Sequence, residues 1–170
     1  MLTSGPAASG SCVDTCLEEI WHGLTDYGYG EAFPAVFGKG FESNSLMTQA
    51  MDVARGGRFE GIPDNVPAEA WYSFTEPSCS YECQGTEYIY WAVNAWVGAL
   101  VNRGPSIQAE WELETREKLE ATDLKITAVI KDTSSYRLPN VSPTGHYSGP
   151  ATCPATTAST EATTATGVSM

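Results

Sequence analysis

Basic residues are scarce in this sequence. Its 170 residues carry nine Lys and Arg against 21 Asp and Glu, a formal charge of −12 and a sequence pI near 4.4. That balance argues against a nucleic-acid partner, because phosphate binding needs clustered cations that release counterions. It argues equally against an anionic membrane surface, which attracts polybasic patches. No apolar run reaches the ~20 residues that span a bilayer; the longest, Tyr88 to Val101, is interrupted by Asn94.

Chemical motifs are sparse as well. There is no GxSxG elbow, and Gly56-Gly57 follows a helical pattern where a phosphate loop would precede one. Only one ExxH occurs, so a paired-ExxH di-iron bundle lacks its second half. No internal repeat and no convincing strand stand out. Met1 to Ser11 has neither the basic start nor the apolar stretch of a secretory leader. With secretion expected from the cysteines, the chain is expected to be a fragment, a mature form or a truncated product.

What is present is enough for one core: 42% of the residues are hydrophobic and 11% aromatic. Four of the five cysteines form two CxxxC pairs, Cys12/Cys16 and Cys79/Cys83. In an acidic, Thr-rich chain these read as disulfide cysteines from an oxidising, extracellular compartment. A four-cysteine zinc site is the weaker rival, since structural zinc favours CxxC knuckles. Three pairings are open, and two local bridges are the preferred one. Cys153 is left over, free or paired between chains. Asn140-Val141-Ser142 is a glycosylation sequon with Pro143 directly behind it.

The pattern predicts a mainly α fold: a compact bundle of four to five helices around a central aromatic-rich helix, with long loops. Residues 1–11 read as a loose lead-in, 12–148 as the helical domain, and 149–170 as an Ala/Thr-rich disordered tail. Asp14 or Thr15 caps a first helix to about Tyr27, with Leu17, Ile20, Trp21, Leu24 and Tyr27 at i, i+3, i+4, i+7 spacing and expected inward. Gly28 to Ser43 reads as loop. Asn44 or Ser45 caps a second helix through Arg55, with Leu46, Met47, Ala50, Val53 and Ala54 inward and Gly56-Gly57 as its stop. Pro67 starts a turn carrying Trp71. The central helix is expected over Thr86 to Asn102, with its aromatic stripe Tyr88 to Trp96 in the core. A charged helix follows from Ser106 to Ala121, with Ile107, Trp111 and Leu119 inward and five glutamates from Glu110 to Glu120 on a solvated face. Thr122 caps a last helix, Asp123 to Lys131.

One constellation carries chemistry. At about 100° per residue, Glu18, His22, Asp26 and Glu19 occupy roughly a 100° arc opposite the Leu/Ile/Trp face of the first helix. Glu18 and His22 are i,i+4 neighbours, able to grip one ion. Glu19 sits to the side, where a general base acting on water would stand. The stretch Glu18-Glu19-Ile20-Trp21-His22 is thus EExxH, a variant of HExxH, in which two histidines bind zinc and the glutamate activates water. A solvated helix face is the bland alternative. Glu/His sets suit zinc, manganese or iron.

The blocks LEEIWHGLTDYGYGEAFPAVFG, AMDVARGGRF, CSYECQGTEYIYWAVNAWVGA and EWELETREKLEATD resemble a group of extracellular, zincin-like proteins related to metallopeptidases, over roughly residues 16–147. The resemblance implies a zincin-like helical subdomain. In the gluzincin branch a glutamate on a second helix supplies the third ligand, and Glu87 is the matching candidate, with His146 in reserve. Glu87 is either desolvated and in need of a partner or an exposed first-turn acid. Zincins place a sheet before the motif helix, and none precedes it here, so the chain is expected to be the C-terminal half of a larger domain. The expected function is a secreted metal-binding protein, either a metal-dependent peptidase acting on peptides or proteins or its degenerate relative. Glu18, His22 and Glu87 would hold zinc or another divalent transition metal, and Glu19 would be catalytic. The rival class is a non-catalytic, disulfide-stabilised extracellular module.

Overall fold

The structure, a computed structural model, describes residues 15–101 and 103–141. The lead-in, the Cys12/Cys16 pairing, His146, Cys153 and the 149–170 tail lie outside the described residues. The fold is mainly α, as the pattern predicts. In chain order the elements are α1 (Thr15–Gly23), a π-helical continuation (Leu24–Tyr29), α2 (Gly30–Ala32), α3 (Pro34–Phe37), α4 (Leu46–Ala54), α5 (Tyr81–Trp96), α6 (Gly104–Ile107), α7 (Arg116–Thr122) and α8 (Leu124–Lys131). Helices α1, α4, α7 and α8 all pack on α5. Among the described residues there is no β-strand, only an antiparallel bridge between Tyr72 and Trp111. No helix among them is long and apolar enough to cross a membrane.

Helix α5 is the buried axis. Trp91 and Trp96 are only 7% and 5% exposed, and Tyr88 and Ile89 are fully enclosed. Its limits lie five to six residues N-terminal to the Thr86–Asn102 expectation. The start moves because the Ser80 hydroxyl accepts from the Cys83 amide at 3.4 Å, a side-chain N-cap. The polar first turns stay helical because their groups are bonded inside. Gln84 donates to the Phe74 carbonyl at 2.7 Å, and the Tyr72 hydroxyl donates to the Gln84 carbonyl at 2.8 Å. The end comes at Gly98, whose φ of +78° is cheap only for glycine, with Ala99 N donating back to Asn94 O at 2.9 Å. Cys79 and Cys83 are bridged across this cap, with Cα atoms 5.2 Å apart. The bridge therefore does not require the helix to begin after Cys83.

Four other expectations change. The 106–121 helix is broken into α6 and α7, because Trp111 inserts fully into the core. Its segment pairs edge-on with 71–73: Ser73 N donates to Glu110 O at 2.9 Å and Glu112 N to Trp71 O at 3.1 Å. Helix α8 is capped by Asp123, whose Oδ1 accepts from Ile126 N at 3.2 Å, and not by Thr122. The 28–43 loop contains α2 and α3, the latter started by Pro34 and anchored by buried Phe37. Helix α4 follows its expected cap, Ser45, and stops at Gly56 with φ +74°. Its Leu46 and Val53 are exposed, however, while Met47, Ala50, Met51 and Ala54 form the buried face.

Candidate metal centre

Helix α1 and its π-helical continuation turn outward three of the apolar residues that hydropathy places inward, while Trp21 alone of those described keeps the expected side. Ile20, Leu24 and Tyr27, expected inward, are 59%, 50% and 82% exposed. The face toward α5 carries Glu18, His22, Thr25 and Asp26, with Trp21 half-buried against the core. Polar contacts explain the reversal. The Thr86 hydroxyl on α5 donates to Asp26 Oδ1 at 2.8 Å and accepts from Lys39 Nζ at 2.8 Å, and Lys39 is ion-paired with Asp26. The Thr25 hydroxyl bonds back to the carbonyls of Trp21 and His22 at 3.1 and 3.0 Å, where the α-helix widens into its π turn.

This orientation brings Glu18, His22 and Glu87 together. One ligand atom from each lies within 4.8 Å of the others. His22 Nε2 stands 3.8 Å from Glu87 Oε2, too far for a hydrogen bond. It is buried and finds no hydrogen-bond partner among the described residues. Burial, then the charges of Glu18, Glu110 and Glu19, push the Glu87 carboxyl up to about 7. Glu87 is thus the desolvated acid of the two alternatives, with only 14% of its side chain exposed.

The donor set fits a cation. Ligand atoms at ~2.0–2.2 Å around a tetrahedral ion stand about 3.4 Å apart, so a closure of roughly 1 Å or a little more would complete the geometry. Two carboxylates offset a double positive charge, and an uncapped buried imidazole nitrogen gains the partner it lacks. The Glu18/His22/Glu87 group could therefore hold a metal ion.

Glu19 is exposed and is not one of the three converging residues.

A cavity of about 330 Å³ opens beside the group. Glu18, Glu87, Glu110 and Arg103 line it, together with Phe74, Tyr90 and Trp91. The His22 and Tyr90 rings meet edge to face at 5.5 Å. Glu110 was expected on a solvated face, yet it is half-buried here, and burial together with Glu18 raises its pKa. Tyr90 shares a helical face with Glu87 at i+3, a signal present in the sequence. Glu110 has no such signal, because its position depends on the insertion of Trp111.

No protein-family model matches the chain, and neither a curated protein nor a solved structure does.

Proposed function

We propose that this is a zincin-like metal-binding protein in which Glu18, His22 and Glu87 hold a divalent transition metal, zinc first, for hydrolysis of a peptide bond. The observation that carries the reading is the inversion of α1. The helix and its π-helical continuation expose Ile20, Leu24 and Tyr27 and turn Glu18 and His22 toward a third carboxylate, an orientation that the contacts of Asp26 with Thr86 and Lys39 hold in place. When bound, such an ion supplies Lewis acidity toward a carbonyl and toward water. Glu18 and Glu87 contribute charge neutralisation and His22 a nitrogen donor. Glu19 is assigned to take the proton of the attacking water from the solvent side and return it to the leaving amine. The Cys79–Cys83 bridge supports an oxidising, extracellular setting.

Elemental analysis of the purified protein tests the reading, with stoichiometric zinc, manganese or iron expected. His22→Ala should lose the metal, whereas Glu19→Gln should keep it and lose hydrolysis of a peptide library. A wild-type protein that retains no metal after dialysis against zinc overturns the reading. Metal without hydrolysis would leave the degenerate, binding-only relative.

A further inference from the structure

We propose that the outward face of α1 and its π-helical continuation, built on Ile20, Leu24 and Tyr27, docks an amphipathic helix of another protein whose apolar stripe is flanked by lysine or arginine. The proposal stands apart from the metal reading and uses none of its ligands.

Placement makes this face a surface and not a scatter. Among the described residues nine large apolar side chains are left exposed, and three of them fall between residues 20 and 27. Single exposed apolar residues need no explanation, whereas a contiguous stripe does. The i, i+4, i+7 spacing runs along the helix for about 10 Å, a length against which a second helix can lie. Tyr27, the most exposed of the three, is of the residue type that interfaces favour. Gly23 and Gly28 are exposed beside the stripe, at i+3 from Ile20 and i+4 from Leu24. A Cβ added to either would meet nothing within 4 Å, and neither has a positive φ, so neither packing nor backbone conformation requires glycine there. Glycine within a helix is destabilising relative to alanine, and the missing side chain lets a neighbouring backbone come close.

Charge complementarity names the partner's flanks. From Thr15 to Phe37 the chain has four carboxylates, Glu18, Glu19, Asp26 and Glu31, and no lysine or arginine. Asp26 is ion-paired with Lys39, and Glu18 faces His22 and Glu87 toward α5. Glu19 and Glu31 are the exposed pair that remains, and a cation between Glu18 and Glu87 would leave their charge untouched. Basic flanks on a partner complement them. A second copy would instead set these glutamates against their own kind, between molecules that each carry a formal charge of −12. An anionic lipid surface is repelled in the same way.

The test is the fluorescence anisotropy of a labelled synthetic peptide added to the full-length protein at physiological salt. The peptide is an amphipathic helix of about 20 residues, with leucine at i, i+3, i+4 and i+7 and lysine beside the stripe. One control carries glutamate in place of lysine, and the other has the first peptide's composition in scrambled order. The lysine-flanked helix should bind about tenfold or more tightly than either control. The double variant Leu24→Gln, Tyr27→Ser should weaken it by about tenfold or more. Glu31→Gln should weaken it by about two- to fivefold, with a shallower salt dependence. Val53→Gln, at an equally exposed apolar position on α4, should leave it unchanged. Urea midpoints of these variants should stay at the wild-type value, which separates a lost contact from a lost fold. Equal binding of the scrambled peptide overturns the proposal, because general attraction between an acidic protein and a basic chain would then be the whole effect. Unchanged affinity in the double variant overturns it as well. So does a dimer, or association with phosphatidylcholine vesicles, that the double variant abolishes, and so does a lowered urea midpoint in Leu24→Gln. A second copy, a lipid surface or the chain itself would then cover the face.

Discussion

The Thr86 hydroxyl donates to Asp26 Oδ1 at 2.8 Å, one residue ahead of Glu87, so α5 grips the π-helical segment beside the candidate metal ligand. Because the same oxygen accepts from Lys39 at 2.8 Å, one side chain ties three segments of chain together. Thr86→Val preserves the shape and deletes the hydroxyl. It should cost about 1–2 kcal/mol in urea unfolding of the metal-free protein. It should also weaken metal binding measured against a competing chelator, since His22 rides on the helix thus released. Wild-type values in both measurements would show that the clamp holds nothing.

Glu87 imposes a pH dependence on the metal-free protein. Its folded pKa of about 7 lies above the ordinary 4.5, so its ionisation opposes folding. The contribution to stability is complete below about 4.5 and declines as pH rises toward and through 7. The total is on the order of 3 kcal/mol. Glu87→Gln should remove this slope, leaving a stability difference from wild type that grows from about pH 4.5 and levels above about 7. A difference independent of pH would contradict the burial of this carboxyl. Metal should act in the opposite direction, its retention falling as acid protonates the ligands.

Asp123 joins three elements. It accepts from Tyr88 OH at 2.6 Å, from Trp71 Nε1 at 3.2 Å and, as the α8 cap, from Ile126 N at 3.2 Å. Asp123→Ala would strand the fully buried Tyr88 hydroxyl and uncap α8 at once. The expected loss is about 2–4 kcal/mol, read from the urea midpoint. Asp123→Asn should lose less, because its amide oxygen still caps the helix. Equal losses in the two variants would assign the effect to charge rather than to hydrogen bonding.

The outward apolar face of α1 makes a contrasting prediction. Leu24→Gln and Tyr27→Ser should each change stability by no more than about 0.5 kcal/mol. A core position such as Ile130, which has no exposed surface, should lose about 2–5 kcal/mol on truncation to Ala. A large loss at Leu24 would mean that this face is covered in the folded protein.

The helical class, the buried aromatic helix and the Cys79–Cys83 bridge were legible because each rests on composition, dense apolar patterning or short spacing. Boundaries were less so. Ser80 and Gly98 are ordinary cap signals, but the polar Tyr81–Thr86 stretch hid the first two turns of α5, and Gly104-Pro105 was the more conspicuous stop. The facing of α1 departs from its hydropathy for a deeper reason. Periodicity assumes that polar side chains prefer water, and Asp26 and Glu18 instead meet Thr86, Lys39, His22 and Glu87, which come from distant parts of the chain or from the turn itself. The pairing of Glu18 with His22 survived the error, since i,i+4 neighbours stay together whichever way the helix turns. Glu110 could not be told from the other glutamates around it, because Trp111 sets its place through long-range packing.

The inverted α1 also means that occupancy and local unfolding are linked. With Ile20, Leu24 and Tyr27 outside, the apolar burial described for the helix is mainly that of Trp21, and its attachment depends strongly on the groups it shares with α5. A cation held jointly by Glu18, His22 and Glu87 would act as a rivet. At a free concentration one hundred times its dissociation constant it would add about 2.7 kcal/mol to the cost of detaching the helix. Backbone amides of Ile20 to Thr25 would then exchange with solvent deuterium at rates set by the ion concentration, while those in the middle of α5 would follow global unfolding. The N-terminal helix becomes the part of the molecule whose order reports on its environment.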